Sequence, residues 1–296
     1  MIHLKLEKVN ILIGPNASGK SNIAKVFRLI AKHAREGVPV LEGYTSFRDL
    51  SFNFDPAMSI YIGLGALIRN REYAYTLEFN NKKYFEQVFA RDQSVVSYDS
   101  DSGVLRTKGE TWHFSHGVAE YYDRRVIFKS ILLALPSNVE AEVRELASSL
   151  GRISVHSFAP DALRLKNPVT EQTFLRYHGE NLARYLLYLY TERRRDFGRI
   201  EETLRNMIPE VEEIIPHIEE ADVEIWIKLK GLEEPLKPHN ISDGTWRILA
   251  IISALYGGSS LVVLEEPENC IHPYLLETLM DLARDSPSQI IMTTHS

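Results

Sequence analysis

The hydrophobic positions at both ends of the chain predict short buried strands that alternate with helices. Near the start, residues 2–6 alternate between apolar and polar types and residues 9–13 are mostly apolar, so both stretches predict strands. Near the end, apolar runs at 261–264 and 289–293 flank a helical pattern at 273–284. Short continuous apolar runs are typical of strands in the centre of a parallel sheet. Both ends therefore favour an α/β architecture.

The middle of the chain follows a different period. Residues 59–115 alternate, contain many tyrosines and phenylalanines and are interrupted by turn signals, which predicts β-strands. Within this region, EYAYTLEFNNKKYFEQVF predicts a hairpin with its turn at Asn80 and Asn81. Residues 121–150 predict two helices that Pro136 separates.

The remaining patterns place further helices and one strand between these regions. Helices are predicted at 20–34, 181–208 and 245–256, and a strand is predicted at 222–230. Residues 37–58 have the composition of a loop. One core that is assembled from both ends of the chain, with the middle as a long insertion, would explain this order.

Composition restricts the class of protein without assigning a function. The 296 residues are 44% hydrophobic, which is enough for one large domain or two lobes that share a core. The net charge is -6, so any contact with DNA would need a local basic patch. The single cysteine, Cys270, excludes an internal disulfide and suits a reducing cytosol. No apolar stretch reaches the roughly 20 residues of a membrane span, so we expect a cytoplasmic protein without a membrane partner.

The segment GPNASGKSN carries the first chemical signal. Its spacing, Gly14-x-x-x-x-Gly19-Lys20-Ser21, fits the Walker A pattern, and a predicted strand precedes it while a predicted helix follows. Backbone N–H groups can curl around phosphates there, and the start of the helix adds partial positive charge. Lys20 can reach the β- and γ-phosphates, and the Ser21 hydroxyl can ligate Mg²⁺. The residues expected to bind nucleotide are Gly14, Pro15, Asn16, Ala17, Ser18, Gly19, Lys20, Ser21 and Asn22.

Two glutamates follow the apolar run at 261–264. Glu265 and Glu266 would lie at the carboxyl end of a buried parallel strand, which is the end that faces ligands in open α/β sheets. One carboxylate there can hold Mg²⁺, and a second can orient the water that attacks a phosphoryl group. The alternative is a pair of solvated glutamates, and Pro267 weakens it because this proline ends the strand and holds the turn.

A histidine ends the next predicted strand. Residues 289–293 run into Thr294-His295-Ser296, so His295 would lie just past a strand end and could donate to the γ-phosphate. A single histidine in such a place is more often incidental. Here the neighbouring motifs favour a functional role for His295.

A second small polar turn precedes the helix at 245–256. Ser242-Asp243-Gly244 can cap that helix, and the free N–H groups at its start could bind a phosphate. The nucleotide held by Lys20 already has a helix start of its own. Two phosphate cradles in one chain therefore suggest two chains, each of which closes the site of the other. The alternative is an ordinary helix cap.

Taken together, these motifs resemble ABC-type ATPase heads of the SMC/RecF kind. More closely, the chain resembles AAA-family ATPases related to the OLD-family ATPase domain. The resemblance covers most of the chain in order and is specific at the nucleotide motifs. The matching segments are GPNASGKSN (14–22), LRYHGENLARYL (175–186), SDGTWR (242–247), LEEPEN (264–269) with His272-Pro273, and TTHS (293–296).

The resemblance implies an α/β P-loop NTPase fold that is similar to an ABC-ATPase head, with a mixed β lobe and a helical lobe. It implies one domain over 1–296. Within it, 1–120 would form the P-loop and β-rich lobe, 121–240 a helical insertion lobe, and 241–296 the segment with the signature turn, the Walker B strand and the switch histidine.

The resemblance also implies roles for individual residues. The Walker A residues would bind ATP and Mg²⁺, with Ser21 and Glu265 as metal ligands. The turn of Ser242, Asp243 and Gly244 would contact the γ-phosphate on a partner subunit. Glu266 would be the catalytic base, Lys20 would neutralise charge, and His295 would be the switch histidine. ATP would then join two copies in a head-to-head homodimer.

Some positions depart from the pattern of the resemblance and leave alternatives open. Glu265 stands where many ABC heads have aspartate, which favours a nucleotide-gated switch with little hydrolysis as one alternative. A P-loop kinase for a small molecule is a second alternative, although it would not need the turn at Ser242. Gln87 is a candidate for the glutamine loop. The resemblance suggests DNA maintenance or anti-phage defence, and any nuclease partner would be a separate effector chain.

Overall fold

The chain folds into two compact units in a computed structural model. One unit combines Met1–Ala24 with Ile153–Ser296, and the other is Lys25–Arg152. These units do not follow the divisions at 120 and 240, and the single-domain description stays a prediction. The structure describes residues 2–37, 55, 58–80, 84–91, 93–99, 102, 104–107, 110–113, 119–122, 125–128, 130–133, 135, 139, 141–170 and 172–295.

Strands and helices alternate at the two ends of the chain, and strands dominate the middle. In chain order, the strands are β1 (Val9–Ile13), β2 (Ile60–Ile68), β3 (Arg71–Phe79), β4 (Tyr84–Ala90), β5 (Gln93–Asp99), β6 (Val104–Thr107), β7 (Glu110–His113), β8 (Ala119–Tyr122), β9 (Arg125–Phe128), β10 (Ser154–His156), β11 (Asn167–Pro168), β12 (Val211–Glu219), β13 (Asp222–Leu229), β14 (Leu261–Glu265) and β15 (Gln289–Thr294). The α-helices are α1 (Lys20–Glu36), α2 (Ala141–Gly151), α3 (Pro160–Leu163), α4 (Leu182–Glu192), α5 (Arg194–Met207), α6 (Asp243–Tyr256) and α7 (Pro273–Asp285).

A parallel sheet forms the centre of the first unit. Its order is β1-β15-β14-β10, and all three strand pairs are parallel. The apolar run of β14 is buried, which agrees with the continuous hydrophobic pattern of its sequence. Because β1 pairs with β15, the two ends of the chain build one sheet. The expected mixed α/β fold with a parallel sheet is confirmed.

Helices and a second sheet form the rest of the first unit. The antiparallel strands β12 and β13 pair over most of their length, and β11 extends them. Helix α6 is buried from Trp246 to Leu255, and all of these residues except Arg247 and Ser253 are apolar. A helix of this kind belongs in the interior of a domain, and its side chains join one core with those of α4, α5 and β14.

The second unit contains a six-stranded antiparallel meander in the order β2-β3-β4-β5-β6-β7. Side chains on one face of β3 are buried in strict alternation, as the pattern of Tyr73, Tyr75, Leu77 and Phe79 requires. The expected hairpin is confirmed as the pair β3–β4. Its turn residue Asn81 lies outside the described residues.

A fully buried carboxylate lies in this second unit. Both the Glu86 and the His33 side chains are 0% exposed, and the Nε2 atom of His33 lies 3.6 Å from Oε2 of Glu86. Burial raises the pKa of Glu86, but attraction to His33 and several hydrogen bonds outweigh it, so the net pKa is lowered. The donors to its oxygens are Tyr75 Oη (2.8 Å), Ser130 Oγ (2.7 Å), the Ile131 N–H (2.8 Å) and the Tyr84 hydroxyl.

Several sequence expectations for the fold are wrong. Residues 2–6 form no strand with any residue that the structure describes, and Ile2 is 70% exposed while Leu4 is 45% exposed. The first helix expected in 121–150 is replaced by the pair β8–β9 and a short 3-10 turn at Ile131–Leu133. By contrast, the helices expected at 181–208 are confirmed as α4 and α5, which meet at Arg193.

Other parts of the structure were either not predicted from the sequence or lie outside the described residues. Strand β12 had no counterpart among the expected elements. Most of the expected loop at 37–58 and the expected break at Pro136 lie outside the described residues. Among the residues described, no helix has the length and hydrophobicity that a membrane crossing requires.

Candidate functional site

The loop between β1 and α1 has the backbone geometry that its small residues permit. Ala17 and Gly19 have left-handed φ angles of 61° and 93°. At Gly19 this backbone region favours glycine although the space around it is open. A Cβ atom at Gly14 would meet Ser18 Oγ at 3.0 Å, so the loop is tight at its start. Pro15 to Ser18, Ser21 and Asn22 are exposed, so the turn is accessible from solvent.

The Lys20 ammonium lies against this loop. Its Nζ atom donates to the carbonyl oxygens of Gly14 at 2.5 Å and Pro15 at 2.8 Å, and it lies 3.5 Å from Ser18 Oγ. The same atom lies 3.4 Å from Nδ1 of His295. One cation therefore joins the phosphate loop to the end of β15.

The two glutamates occupy different places at the end of β14. Glu265 is the last residue of the strand and pairs with Thr293 of β15. Glu266 leaves the strand with a φ angle of 48°, in the left-handed region where residues with a side chain are uncommon. Its backbone N–H still donates to the Thr293 carbonyl at 2.9 Å. This turn separates the two carboxylates although they are neighbours in sequence, and such strain recurs at functional sites.

Glu266 contacts the histidine that the sequence places after β15. The Nε2 atom of His295 bonds to Oε1 of Glu266, and both side chains are 39% exposed. Asn269 donates to the other oxygen, Oε2, at 2.8 Å. Hydrogen bonds from Asn269 and His295, together with the charge of Lys20, hold the pKa of Glu266 below its ordinary value. The carboxylate is therefore ionised at neutral pH.

Glu265 is held by a residue from a distant segment. Tyr177 donates its hydroxyl hydrogen to Oε1 of Glu265 at 2.6 Å. The backbone of Glu266 is restrained as well, because Arg247 Nη1 lies 3.3 Å from its carbonyl oxygen. Sequence reasoning did not assign a role to Tyr177, Arg247 or Asn269, although all three lie in segments that the resemblance had singled out.

The turn before α6 is a true helix cap. Ser242 Oγ accepts from the Thr245 N–H at 3.2 Å, and Asp243 forms an ion pair with Arg164. A Cβ atom at Gly244 would lie 2.9 Å from the carbonyl oxygen of Cys270. The turn thus packs against the segment that follows Glu266.

The residues present fit Mg²⁺ better than a transition metal. Ser21 and Glu265 offer hard oxygen donors, and Mg²⁺ is commonly held by one or two such side chains together with phosphate oxygens and water. Among the described residues, no group of three or more histidine, cysteine, aspartate or glutamate side chains could hold a metal ion. Gln87 lies in β4 of the second unit, and its role as a glutamine loop stays a prediction.

Comparison with known proteins gives one family match and several distant structural likenesses. No curated protein matches the chain significantly. The SMC head domain from Thermotoga maritima is 14% identical, has a TM-score of 0.46, and aligns with 99% of this chain and 82% of its own. An SMC head bound to the C-terminal winged-helix domain of ScpA is 15% identical with a TM-score of 0.49, over 99% and 84%. CbiO1 from Clostridium perfringens, part of the ABC transporter complex CbiONQ, is 13% identical with a TM-score of 0.38, over 100% and 70%.

The family match covers nearly the whole chain. The family described as "AAA domain, putative AbiEii toxin, Type IV TA system" matches residues 9–296. This range begins at β1 and contains the phosphate loop, both glutamates and His295. The expected membership in an AAA-type ATPase family is therefore confirmed, and the chain belongs to this family of AAA domains.

Proposed function

We propose that this chain binds ATP with Mg²⁺ and hydrolyses the bond to the γ-phosphate. The single observation that carries the proposal is the line of contacts from Lys20 through His295 to Glu266 at the carboxyl edge of the parallel sheet. A phosphate loop alone would serve binding. The neighbouring ionised carboxylate adds a group that can take a proton from water.

Each residue has a distinct task in this mechanism. The N–H groups of the loop and the start of α1 bind the phosphates, and Lys20 neutralises charge that develops on the γ-phosphate. Ser21 and Glu265 would hold Mg²⁺, which supplies Lewis-acid stabilisation of the phosphate oxygens when it is bound. Glu266 orients the attacking water and accepts its proton. His295 holds the carboxylate of Glu266 and lies within reach of the γ-phosphate position beside Lys20.

The turn of Ser242, Asp243 and Gly244 completes the proposal as a contact to a second copy of the chain. Its helix start is a separate phosphate cradle, and the first nucleotide already has the start of α1. ATP would therefore lie between two copies in a head-to-head homodimer. The roles in DNA maintenance or anti-phage defence, the separate effector chain and the cytoplasmic location stay predictions.

Light scattering after gel filtration tests this arrangement directly. We expect Glu266→Gln to bind Mg-ATP without turnover and to shift from monomer to dimer. Ser242→Arg in the same background should prevent the shift, because the larger side chain would fill the cradle. Thr191→Arg, on the exposed surface of α4, is the matched control and should leave the shift intact.

Two other outcomes would change the proposal. If ATP binds and the mass stays that of a monomer, the two-chain site is wrong for this chain. If wild-type protein dimerises with ATP but shows no phosphate release, the nucleotide-gated switch replaces the ATPase.

A further inference from the structure

Several hydrogen bonds hold the loop between β11 and α4. Asn181 is 1% exposed, and its side chain bridges two points of the loop. Its Oδ1 atom accepts from the Arg176 N–H at 2.8 Å, and its Nδ2 atom donates to the Phe174 carbonyl at 2.9 Å. A buried amide with these bonds fixes the path of the loop around it.

The same loop is fixed to the segment after β10. The Ser157 N–H donates to the Tyr177 carbonyl at 2.9 Å, and the Ser157 carbonyl lies 3.0 Å from Nδ1 of His178. Gly179 has a left-handed φ of 79°, and a Cβ atom there would overlap Leu163. These features hold the backbone on both sides of Tyr177, so its side chain is presented from a rigid support.

The side chain of Tyr177 contacts the carboxylate of Glu265. Its hydroxyl donates to Oε1 at 2.6 Å, a distance typical of a strong bond to an ionised acceptor. Oε2 of Glu265 has no hydrogen bond to any residue within the described ranges. The geometry leaves that second oxygen as the one that can face a cation or its water shell.

We infer that Tyr177 is a positioning residue that fixes Glu265 as a ligand for the divalent cation of the bound nucleotide. The inference rests on the proposed function, since it assumes that Glu265 serves the metal. A glutamate has one more rotatable bond than an aspartate would have at this position, and so it has more orientations to lose on binding a metal. Tyr177 removes that freedom in advance, as partners of metal ligands commonly do.

The test measures metal binding without turnover. We would titrate Mn²⁺ by electron paramagnetic resonance into protein with a non-hydrolysable ATP analogue, for wild type and Tyr177→Phe. Loss of the hydroxyl should weaken Mn²⁺ binding about tenfold, at the lower end of the effect of removing a partner of a metal ligand. Tyr188→Phe, a tyrosine of α4 with the same change, is the control and should bind Mn²⁺ as wild type does.

A second variant separates positioning from packing. In Glu265→Asp the shorter side chain moves the carboxylate away from the tyrosine. The effects of the two substitutions on Mn²⁺ affinity should therefore be coupled, and adding Tyr177→Phe to Glu265→Asp should change that affinity by less than about twofold. Thermal unfolding of each variant shows whether the fold is kept.

The outcomes separate the inference from the proposed function. If wild type binds the nucleotide and Mn²⁺, and Tyr177→Phe binds Mn²⁺ equally well, the inference fails and the ATPase proposal stands. A lowered melting temperature with unchanged Mn²⁺ affinity would assign Tyr177 a packing role and overturn the inference as well. If wild type binds no nucleotide, the proposed function fails and the inference fails with it.

Discussion

The two units each contain a glutamate paired with a histidine, and the pairs differ in almost every other respect. In the second unit, Glu86 and His33 are completely buried. In the first unit, Glu266 and His295 are each 39% exposed. The pKa of both carboxylates is lowered and burial opposes both shifts, but burial is the largest single influence at Glu86, whereas hydrogen bonds from Asn269 and His295 are the leading causes at Glu266.

The two carboxylates differ in how many further hydrogen bonds each can accept. Glu86 accepts from three hydroxyls and one backbone N–H, so its oxygens are saturated. Glu266 accepts from Asn269 and His295 at the edge of an open turn. A saturated buried pair specifies packing, whereas an unsaturated exposed pair remains able to bind and activate water. We therefore propose that the same two residue types serve stability in one unit and chemistry in the other.

The largest effect that would test this comparison is on turnover. Replacing the proposed base in Glu266→Gln should lower the rate of phosphate release by about 10³-fold, within the range of general-base catalysis. The melting temperature should change little, because the amide can keep the contact with Asn269. A phosphate-release assay measures the rate, and Glu277→Gln, at an exposed position of α7, is the control. Turnover within a few-fold of wild type would remove Glu266 from the mechanism.

The buried pair should respond in the opposite way. Glu86→Ala leaves several buried donors without an acceptor, so we expect the free energy of unfolding to fall by about 3 kcal/mol, as for other buried pairs that lose one partner. Urea unfolding measures it. The exposed Glu78→Ala on the neighbouring strand should cost no more than about 0.5 kcal/mol. Equal effects of the two substitutions would show that the Glu86 cluster has no special role in stability.

A smaller effect on the stability of the fold is expected at acidic pH. Because the folded-state pKa of Glu86 lies below its ordinary value of 4.5, the pair stabilises the folded state fully above that value and loses this stabilisation as the pH falls through the folded-state pKa. Wild type should therefore lose stability more steeply than Glu86→Gln below about pH 4. Urea midpoints measured through the acid range provide the test, and parallel curves would contradict it.

Local sequence patterns predicted the parts of the site that depend on neighbours along the chain. The spacing from Gly14 to Ser21 and the apolar run before Glu265 fix the loop and the strand end from short segments alone. The contact of Tyr177 with Glu265 was not predictable, because the two residues are 88 positions apart and meet only through the fold. The helix expected near 121–128 failed because apolar spacing in YYDRRVIF fits a helix as well as a strand pair, and pairing decided the outcome.

The sequence pattern of β4 already indicates that the carboxylate of Glu86 is buried. Glu86 alternates with Tyr84 and Val88 on the buried face of β4, so the strand pattern already places an acid among core positions. What the pattern cannot provide is the set of partners from other elements, which come from β3, α1 and the segment at Ser130.

The close approach of Gly244 to Cys270 has a consequence for the design of probes. Any side chain at position 244 would push on the backbone four residues after Glu266, so a variant there would disturb the turn at Glu266 together with the helix cap. Ser242 is the cleaner position for isolating the proposed contact between subunits. Cys270 is the sole cysteine and is exposed, so one thiol-reactive fluorophore would be placed at the junction of these two turns without further mutagenesis. A change in its emission on adding ATP would report movement of both turns at once.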